Sequence, residues 1–375
     1  MLDCPHRPPC PGCPRFAEPG IDPVVHAAIS ELTRRHDLPE PSVRAGSAFD
    51  FRHRARLAIR GRLGSPKVGL FALGTHRVVH IPNCRVQHPL INRVAGVVRR
   101  ALVEARIPSY SDQAHLGVAR YLQVVVERGS QTAQAVLIAN AEASAPLAPC
   151  LEMIRKELGG ALHSLWFNAH RDRSNNVLGP QFERWCGLET VVERFGGARV
   201  HYPPGAFGQS NLEVAQHIIE HLREQIPEGS CVTEFYAGVG AIGLSVIDRV
   251  RELRLNESSP HALCGLEHGI AGLETGQRAK VSLRPGPAGT VQDATAGANV
   301  VIVDPPRKGL DPELARALAE RPPERLLYVS CALDSLRSDI VRLTSEGNLR
   351  LVGLAVFDMF PYTAHVETVA RFEHA

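Results

Sequence analysis

The chain lacks any long apolar run. No stretch approaches the roughly 20 apolar residues that a bilayer-spanning helix requires, so nothing reads as a membrane anchor. Its first fifteen residues hold Cys and Pro but no apolar h-region, which excludes a secretory signal there. The sequence therefore reads as cytoplasmic, with no membrane partner. It also lacks a strong charge imbalance. Forty-two Lys and Arg against 39 Asp and Glu leave a net charge of +3, which is not the footprint of a protein that coats nucleic acid. Internal repeats and low-complexity tracts are absent too. Nine cysteines in a chain without an export signal argue against a disulfide scaffold.

What is present is the composition of a soluble globular protein, 44% hydrophobic and 22% charged. At 375 residues, two or three domains are expected. Residues 1–45 read as a Cys- and Pro-rich segment followed by a helix over 22–36. Residues 46–205 read as a mixed α+β domain. Ala55, Leu57 and Ile59 alternate with Arg56, Ala58 and Arg60, the period of a half-buried strand. Residues 121–128 and 132–140 flank Gly129-Ser130 as a hairpin, and helices are expected over 88–106 and 147–158. Arg52, His53, Arg54, Arg56, Arg60, Arg62 and Lys67 crowd one stretch, and such a cluster can neutralise phosphates.

From residue 206 strands and helices alternate, which implies a mostly parallel, doubly wound sheet. Asn211 caps a helix to 225. Strands are expected at 231–236, 262–267, 289–292, 298–304, 325–330, 349–358 and 365–373. Helices are expected at 241–250, 269–280, 311–320 and 333–346.

The chemistry lies at the strand ends, where open α/β sheets place their sites. Gly238, Gly240 and Gly243 satisfy G-x-G-x-x-G after the first strand, which suits either NAD or S-adenosylmethionine. Glu267, after the expected second strand, would accept from ribose hydroxyls, and Asp293 from an adenine amino group. Asp304-Pro305-Pro306-Arg307 is a stiff turn that would fix backbone carbonyls beside a cofactor. Cys331 ends the run Leu326-Leu327-Tyr328-Val329-Ser330. Uracil C5 is too electron-poor to attack a methyl group until a thiolate adds at C6. A free thiol has a pKa of about 8.5, so the site should lower it, partly through the helix that begins after Cys331. Glu367 lies in an otherwise apolar strand, where a carboxylate is costly unless functional, and is the candidate acceptor of the C5 proton. The set points to covalent methyl transfer onto a nucleic-acid base. Separately, Cys4, Cys10, Cys13 and Cys84 supply four thiolates that suit zinc or an iron–sulfur cluster.

These motifs resemble the RNA 5-methyluridine (uracil-C5) methyltransferases over nearly the whole chain. The likeness includes Phe51-Arg52-His53-Arg54-Ala55-Arg56, Ile81-Pro82-Asn83-Cys84, Phe207-Gly208-Gln209-Ser210-Asn211, Asp304-Pro305-Pro306-Arg307, Tyr328-Val329-Ser330-Cys331 and Asp358-Met359-Phe360-Pro361. The resemblance implies a class I, Rossmann-like methyltransferase domain over 206–375 and an RNA-recognition domain over 46–205. It implies Cys331 as nucleophile, Glu367 as proton acceptor, and Gln209, Tyr236, Glu267 and Asp304 at S-adenosyl-L-methionine-binding positions, with Asp293 near another. It implies a [4Fe-4S] cluster on Cys4, Cys10, Cys13 and Cys84, as in the short 23S ribosomal-RNA members; the transfer-RNA branch generally lacks it. The chain departs from the family at Ala332, where Asn usually follows the nucleophile, and at Glu234, Ala237 and Ala241. Three rivals remain: a nicotinamide oxidoreductase, a cytosine-C5 enzyme, and a non-catalytic RNA-binding factor that kept the fold.

Overall fold

The structure, a computed structural model, describes residues 3–18, 20–174 and 176–375. An eight-stranded sheet forms its larger part. The spatial order is Val43–Ala45, Leu349–Asp358, Glu367–His374, Arg325–Ser330, Val300–Val303, Ser230–Phe235, Val250–Glu257 and Val281–Pro285. Glu367–His374 runs antiparallel to both neighbours. The other pairings are parallel. After the edge strand Val43–Ala45 the chain rejoins this sheet at Ser230–Phe235, steps outward twice, and returns on the other side at Val300–Val303. The order reverses between those two strands, and the loops leaving their ends diverge to open a crevice.

Alternation along the central strands explains why both faces are covered. Val300 and Ile302 pack into one apolar cluster with Val232, Leu327 and Val369. Val301 and Val303 pack into another with Phe235, Leu326, Tyr328 and Ala370. A strand buried on both faces must be apolar throughout, as Val300–Val303 is. Each such side chain removed from water stabilises the fold by about 1.5–3 kcal/mol, which makes the floor of the crevice rigid.

A seven-stranded sheet forms the second layer system, ordered Val78–His80, Ser65–Phe71, Arg54–Arg62, Ala119–Glu127, Thr132–Ala139, Leu162–Ala169 and Gln181–Gly187. The helices Pro89–Glu104 and Ala148–Leu158 cover one face, against Ala55, Leu57 and Ile59. The strand Leu162–Ala169 was not foreseen. The hairpin Val191–Phe195 with Ala198–Tyr202 packs into the core of the larger sheet, not the smaller.

The N-terminal segment straddles the two. The helix Pro23–Arg35 starts at Asp22, whose side chain accepts from Val24 N. Its Ile29 packs with Val356, and its Leu32 belongs to the cluster that holds Val301. Val43–Ala45 then extends the larger sheet beside Leu349–Asp358.

The expected order fails over 241–292. Only a short 3-10 turn, Gly243–Val246, follows the glycine loop. The second strand is Val250–Glu257, and 262–267, expected as a strand, lies inside the helix Pro260–Ala271. Pro260 at the first helical position and the period-two burial of Leu253 and Leu255 are the signals that decide it. The third strand is Val281–Pro285, and 289–292 falls in 3-10 turns.

Candidate active site

The glycine loop is shaped by backbone that few side chains tolerate. Gly238 has φ +58° and Gly240 φ +84°. A Cβ at Gly240 would lie 2.5 Å from Leu266 Cδ1, so glycine is required there on two counts. Tyr236, also left-handed at φ +60°, is tied across the crevice. Its hydroxyl accepts from Asp311 N at 3.0 Å and donates to Asp311 Oδ2 at 3.3 Å. The two loops that flank the crevice are thus linked through one side chain.

The carboxylate that ends the second strand is Glu257, not Glu267. Glu257 Oε2 accepts from Gly238 N at 2.7 Å, and Oε1 accepts from Ser258 N at 2.7 Å and Ser259 N at 2.6 Å. Three backbone donors therefore fix it against the glycine loop. Glu267 is exposed in mid-helix. The correction follows from the shifted strand: the apolar run around Leu266 belongs to a helix face, so the acid after it never reaches the sheet end. Asp293 is exposed on the turn Gln292–Thr295, and the adjacent Gln292 Oε1 is buried without a partner among the described residues.

Two further acids lie close enough to feel one another. Glu234 is 1% exposed, and its Oε2 has no partner among the described residues. Burial, then the nearby Asp304 and Glu257, hold its carboxyl well above the ordinary range. Asp304 follows Val303, its N reaching Phe235 O at 3.4 Å, and burial pushes its carboxyl up to about 7. Three carboxyl groups thus meet at the ends of the first, second and fourth strands. Such crowding in a place shielded from water calls for a cation.

Cys331 and Glu367 are brought together by register. Ser330 lies opposite Thr368 in the antiparallel pair, and Thr368 Oγ1 donates to Ser330 O at 3.3 Å. Extending that register by one residue sets Cys331 opposite Glu367, a position where Cβ atoms stand about 4.5–5.5 Å apart. Glu367 is 5% exposed, and burial together with Asp304 pushes its carboxyl up to about 8, against the pull of Arg307. The thiol of Cys331 is raised, not lowered: burial dominates, Glu367 and Asp304 add to it, and Arg307 opposes. The helix Leu333–Thr344 does begin after it, but Ala332 at the N-cap provides no side-chain cap. Ser330 Oγ takes part of that role, accepting from Ala332 N at 3.2 Å. Arg307 stands out as a cation shared by Cys331, Glu367 and His365. The sequence offered it only as the residue that ends a turn.

Gln209 sits where the two sheets and the approach to Glu367 meet. Ser210 O accepts from His53 N at 2.7 Å, and Asn211 Nδ2 donates to Met359 O at 3.1 Å. The basic cluster is only partly free. Arg54 is buried with Nη1 on Ala206 O, and Arg60 is clamped to both oxygens of Asp112. These two are structural, while Arg56, Arg62 and Lys67 remain exposed.

Cys4, Cys10, Cys13 and Cys84 line one cavity of about 210 Å3, together with His6, Phe16 and Arg52. Burial and the neighbouring sulfurs push Cys13 up to about 12. Among the described residues no group of three or more His, Cys, Asp or Glu side chains is placed to hold a metal ion. No helix of the described residues is long and apolar enough to cross a membrane.

A doubly wound sheet with an acidic crevice at its switch point, and a thiol beside a buried carboxyl at the next strand ends, defines a group-transfer enzyme of the Rossmann-like methyltransferase fold. The comparisons agree. The family model described as tRNA (Uracil-5-)-methyltransferase matches residues 291–374. An uncharacterized RNA methyltransferase of Protochlamydia amoebophila is 31% identical over 99% of this chain and 97% of its own. One of Gloeobacter violaceus is 28% identical over 96% and 74%. The crystal structure of a Pyrococcus abyssi tRNA (uracil-54, C5)-methyltransferase in complex with S-adenosyl-L-homocysteine superposes with a TM-score of 0.77 at 22% identity, over 93% of this chain and 83% of that one, a likeness of fold. The chain belongs to the RNA (uracil-C5) methyltransferase family.

Proposed function

We propose that the protein forms 5-methyluridine in RNA from S-adenosyl-L-methionine, with 23S ribosomal RNA as the preferred substrate. The observation that supports it most is the opposition of Cys331 and Glu367 beside Asp304. In this reading the Cys331 thiolate bonds to uracil C6 and C5 becomes a nucleophilic carbon. The cofactor supplies an electrophilic methyl group on a sulfonium. Glu367 then takes the C5 proton, the C6–S bond breaks, and the thiolate is regenerated. Arg307 stabilises the thiolate and the ionised Glu367.

Gln209, Tyr236, Gly238, Gly240, Asp293 and Asp304 would hold the cofactor, with Glu257 taking the ribose role first given to Glu267. The residues fit the group: the orphaned Glu234 and the raised Asp304 both favour a neighbouring sulfonium and ammonium. A pH dependence follows. A bound cation favours ionised Asp304, so its binding releases a proton below about pH 7. Affinity for S-adenosylmethionine should rise toward neutral pH, by at most about tenfold per unit for one proton. Affinity for the neutral thioether S-adenosylhomocysteine should stay flatter. Calorimetry at pH 5.5 and 7.5 in two buffers measures both the ratio and the proton.

The ribosomal preference draws on the four cysteines. They line one cavity of about 210 Å3, and the family resemblance assigns them an iron–sulfur cluster, although among the described residues no three such side chains are placed to hold a metal ion. Cys84→Ser should remove most of the bound iron and sulfide from anaerobically purified protein, and zinc at one equivalent would overturn the cluster. The substrate is tested by mapping 5-methyluridine in ribosomal and transfer RNA with and without the protein. A signal confined to transfer RNA would establish the alternative, a tRNA uracil-C5 enzyme. A loss in neither RNA would favour a non-catalytic RNA-binding factor.

A further inference from the structure

The segment that delivers Glu367, residues 359–366, is held from the side of the cysteines. Tyr362 O accepts from Arg15 N at 3.0 Å. The Tyr362 ring packs 5.0 Å from Phe16 and 6.0 Å from Phe49, which lie 6.2 Å from each other. Phe16 lines the thiol cavity, and its N donates to Cys13 O at 3.1 Å. Arg52 lines the same cavity and lays its guanidinium 4.9 Å over Phe360. Tyr362 itself sits at φ +70°, in the left-handed region. That conformation is unfavourable for a non-glycine residue and persists only where surroundings impose it. The surroundings here are the aromatic trio and the Arg15 bond.

We propose that the cysteine segment positions the proton acceptor: Phe16 and Phe49 grip Tyr362, Arg52 grips Phe360, and together they hold residues 359–366 so that Glu367 faces the carbon whose proton it removes. Phe16, Phe49, Tyr362 and Arg52 are positioning residues, acting through Glu367. The cysteines enter only as the anchor of the segment that bears Phe16. The inference rests on the roles proposed for Cys331 and Glu367.

A positioning role has a signature that a structural role lacks. If Glu367 is displaced while Cys331 and the crevice stay in place, the thiolate still adds at C6 and C5 is still methylated. The C5–H bond then breaks slowly, and the C6–S bond cannot break before it. A covalent protein–RNA species should accumulate on ordinary uridine.

The test uses Phe16→Leu, Phe16→Ala, Tyr362→Phe and Tyr362→Ala in the full chain. Unmodified transcripts of 23S ribosomal RNA and tRNA are offered together with S-adenosylmethionine. Covalent species are scored on denaturing gels and methyl transfer in single turnover, with cofactor affinity as the check on folding. Phe16→Ala and Tyr362→Ala should slow release of methylated RNA about ten- to a hundredfold, the scale of a small misplacement, and raise the trapped fraction. Tyr362→Phe should match the parent, because the ring and backbone are kept. Should an alanine variant fail to bind cofactor, Phe16→Leu carries the same readout with a smaller change of volume. Trapped fraction and turnover falling together, or release unchanged in folded variants, would overturn the inference. Adduct formed by Cys331→Ala would instead overturn the reading on which it rests.

Discussion

Replacing Cys331 with Ala is expected to reduce methylation by at least about a thousandfold, because the uncatalysed alternative is attack by an unactivated C5. The same variant should form no covalent complex with RNA containing 5-fluorouridine. In the parent, fluorine at C5 cannot leave as a proton, so the adduct made by Cys331 should persist. The cofactor crevice lies at other strand ends, so Cys331→Ala should bind S-adenosylmethionine normally. Activity lost together with cofactor binding would point to a structural thiol. Adduct retained in the variant would assign the nucleophile to another residue.

Glu367→Gln separates the two steps further. The amide cannot accept the C5 proton, but it also removes one of the two carboxyl groups that raise the Cys331 thiol. Thiolate formation should become easier while release becomes harder, so adduct on ordinary uridine should rise as turnover falls. The raised thiol is consistent with this chemistry. Asp304 and Glu367 both bury carboxyl groups beside the sulfur, and Arg307 is the cation that faces the sulfur and Glu367. A sulfonium near Asp304 would lower the potential against which Cys331 must ionise.

Much of this site was legible because its motifs end apolar strands. Leu326 to Ser330 is too apolar to lie anywhere but the sheet, so Cys331 had to emerge at its edge. Glu367 stood out as an acid in an apolar strand, and the structure buries it. The four cysteines shared no local pattern with one another beyond Cys10 and Cys13, yet they line one cavity. What could not be read was long-range. The antiparallel insertion of Glu367–His374 beside Arg325–Ser330 sets Cys331 against Glu367, and no local propensity encodes a register. The helix Pro23–Arg35 likewise docks on the larger sheet because Ile29 and Leu32 find partners more than 250 residues away, such as Val356 and Val301. Arg54 and Arg60 read as a phosphate-binding face by charge alone, whereas Ala206 O and Asp112 occupy them.

Glu257 is where sequence and structure part most sharply, and exchanging the two candidate acids should show it. Glu257→Ala is expected to weaken S-adenosylmethionine by about 2–3 kcal/mol, roughly 30- to 150-fold, the scale of losing a charge-assisted hydrogen-bond pair and loosening a loop. The carboxylate has two functions in that position. It can accept from ribose hydroxyls, and it already holds Gly238 N at 2.7 Å, which keeps the glycine loop in its left-handed turn. Glu257→Gln preserves an acceptor, so it should lose less, with the remainder attributable to charge. Glu267→Ala, exposed on the helix Pro260–Ala271, should change cofactor affinity less than twofold and thermal stability by no more than about 0.5 kcal/mol. Titration calorimetry on the three variants decides between them: a large loss in Glu267→Ala with Glu257→Ala intact would mean that the second strand end lies where the apolar run around Leu266 first suggested.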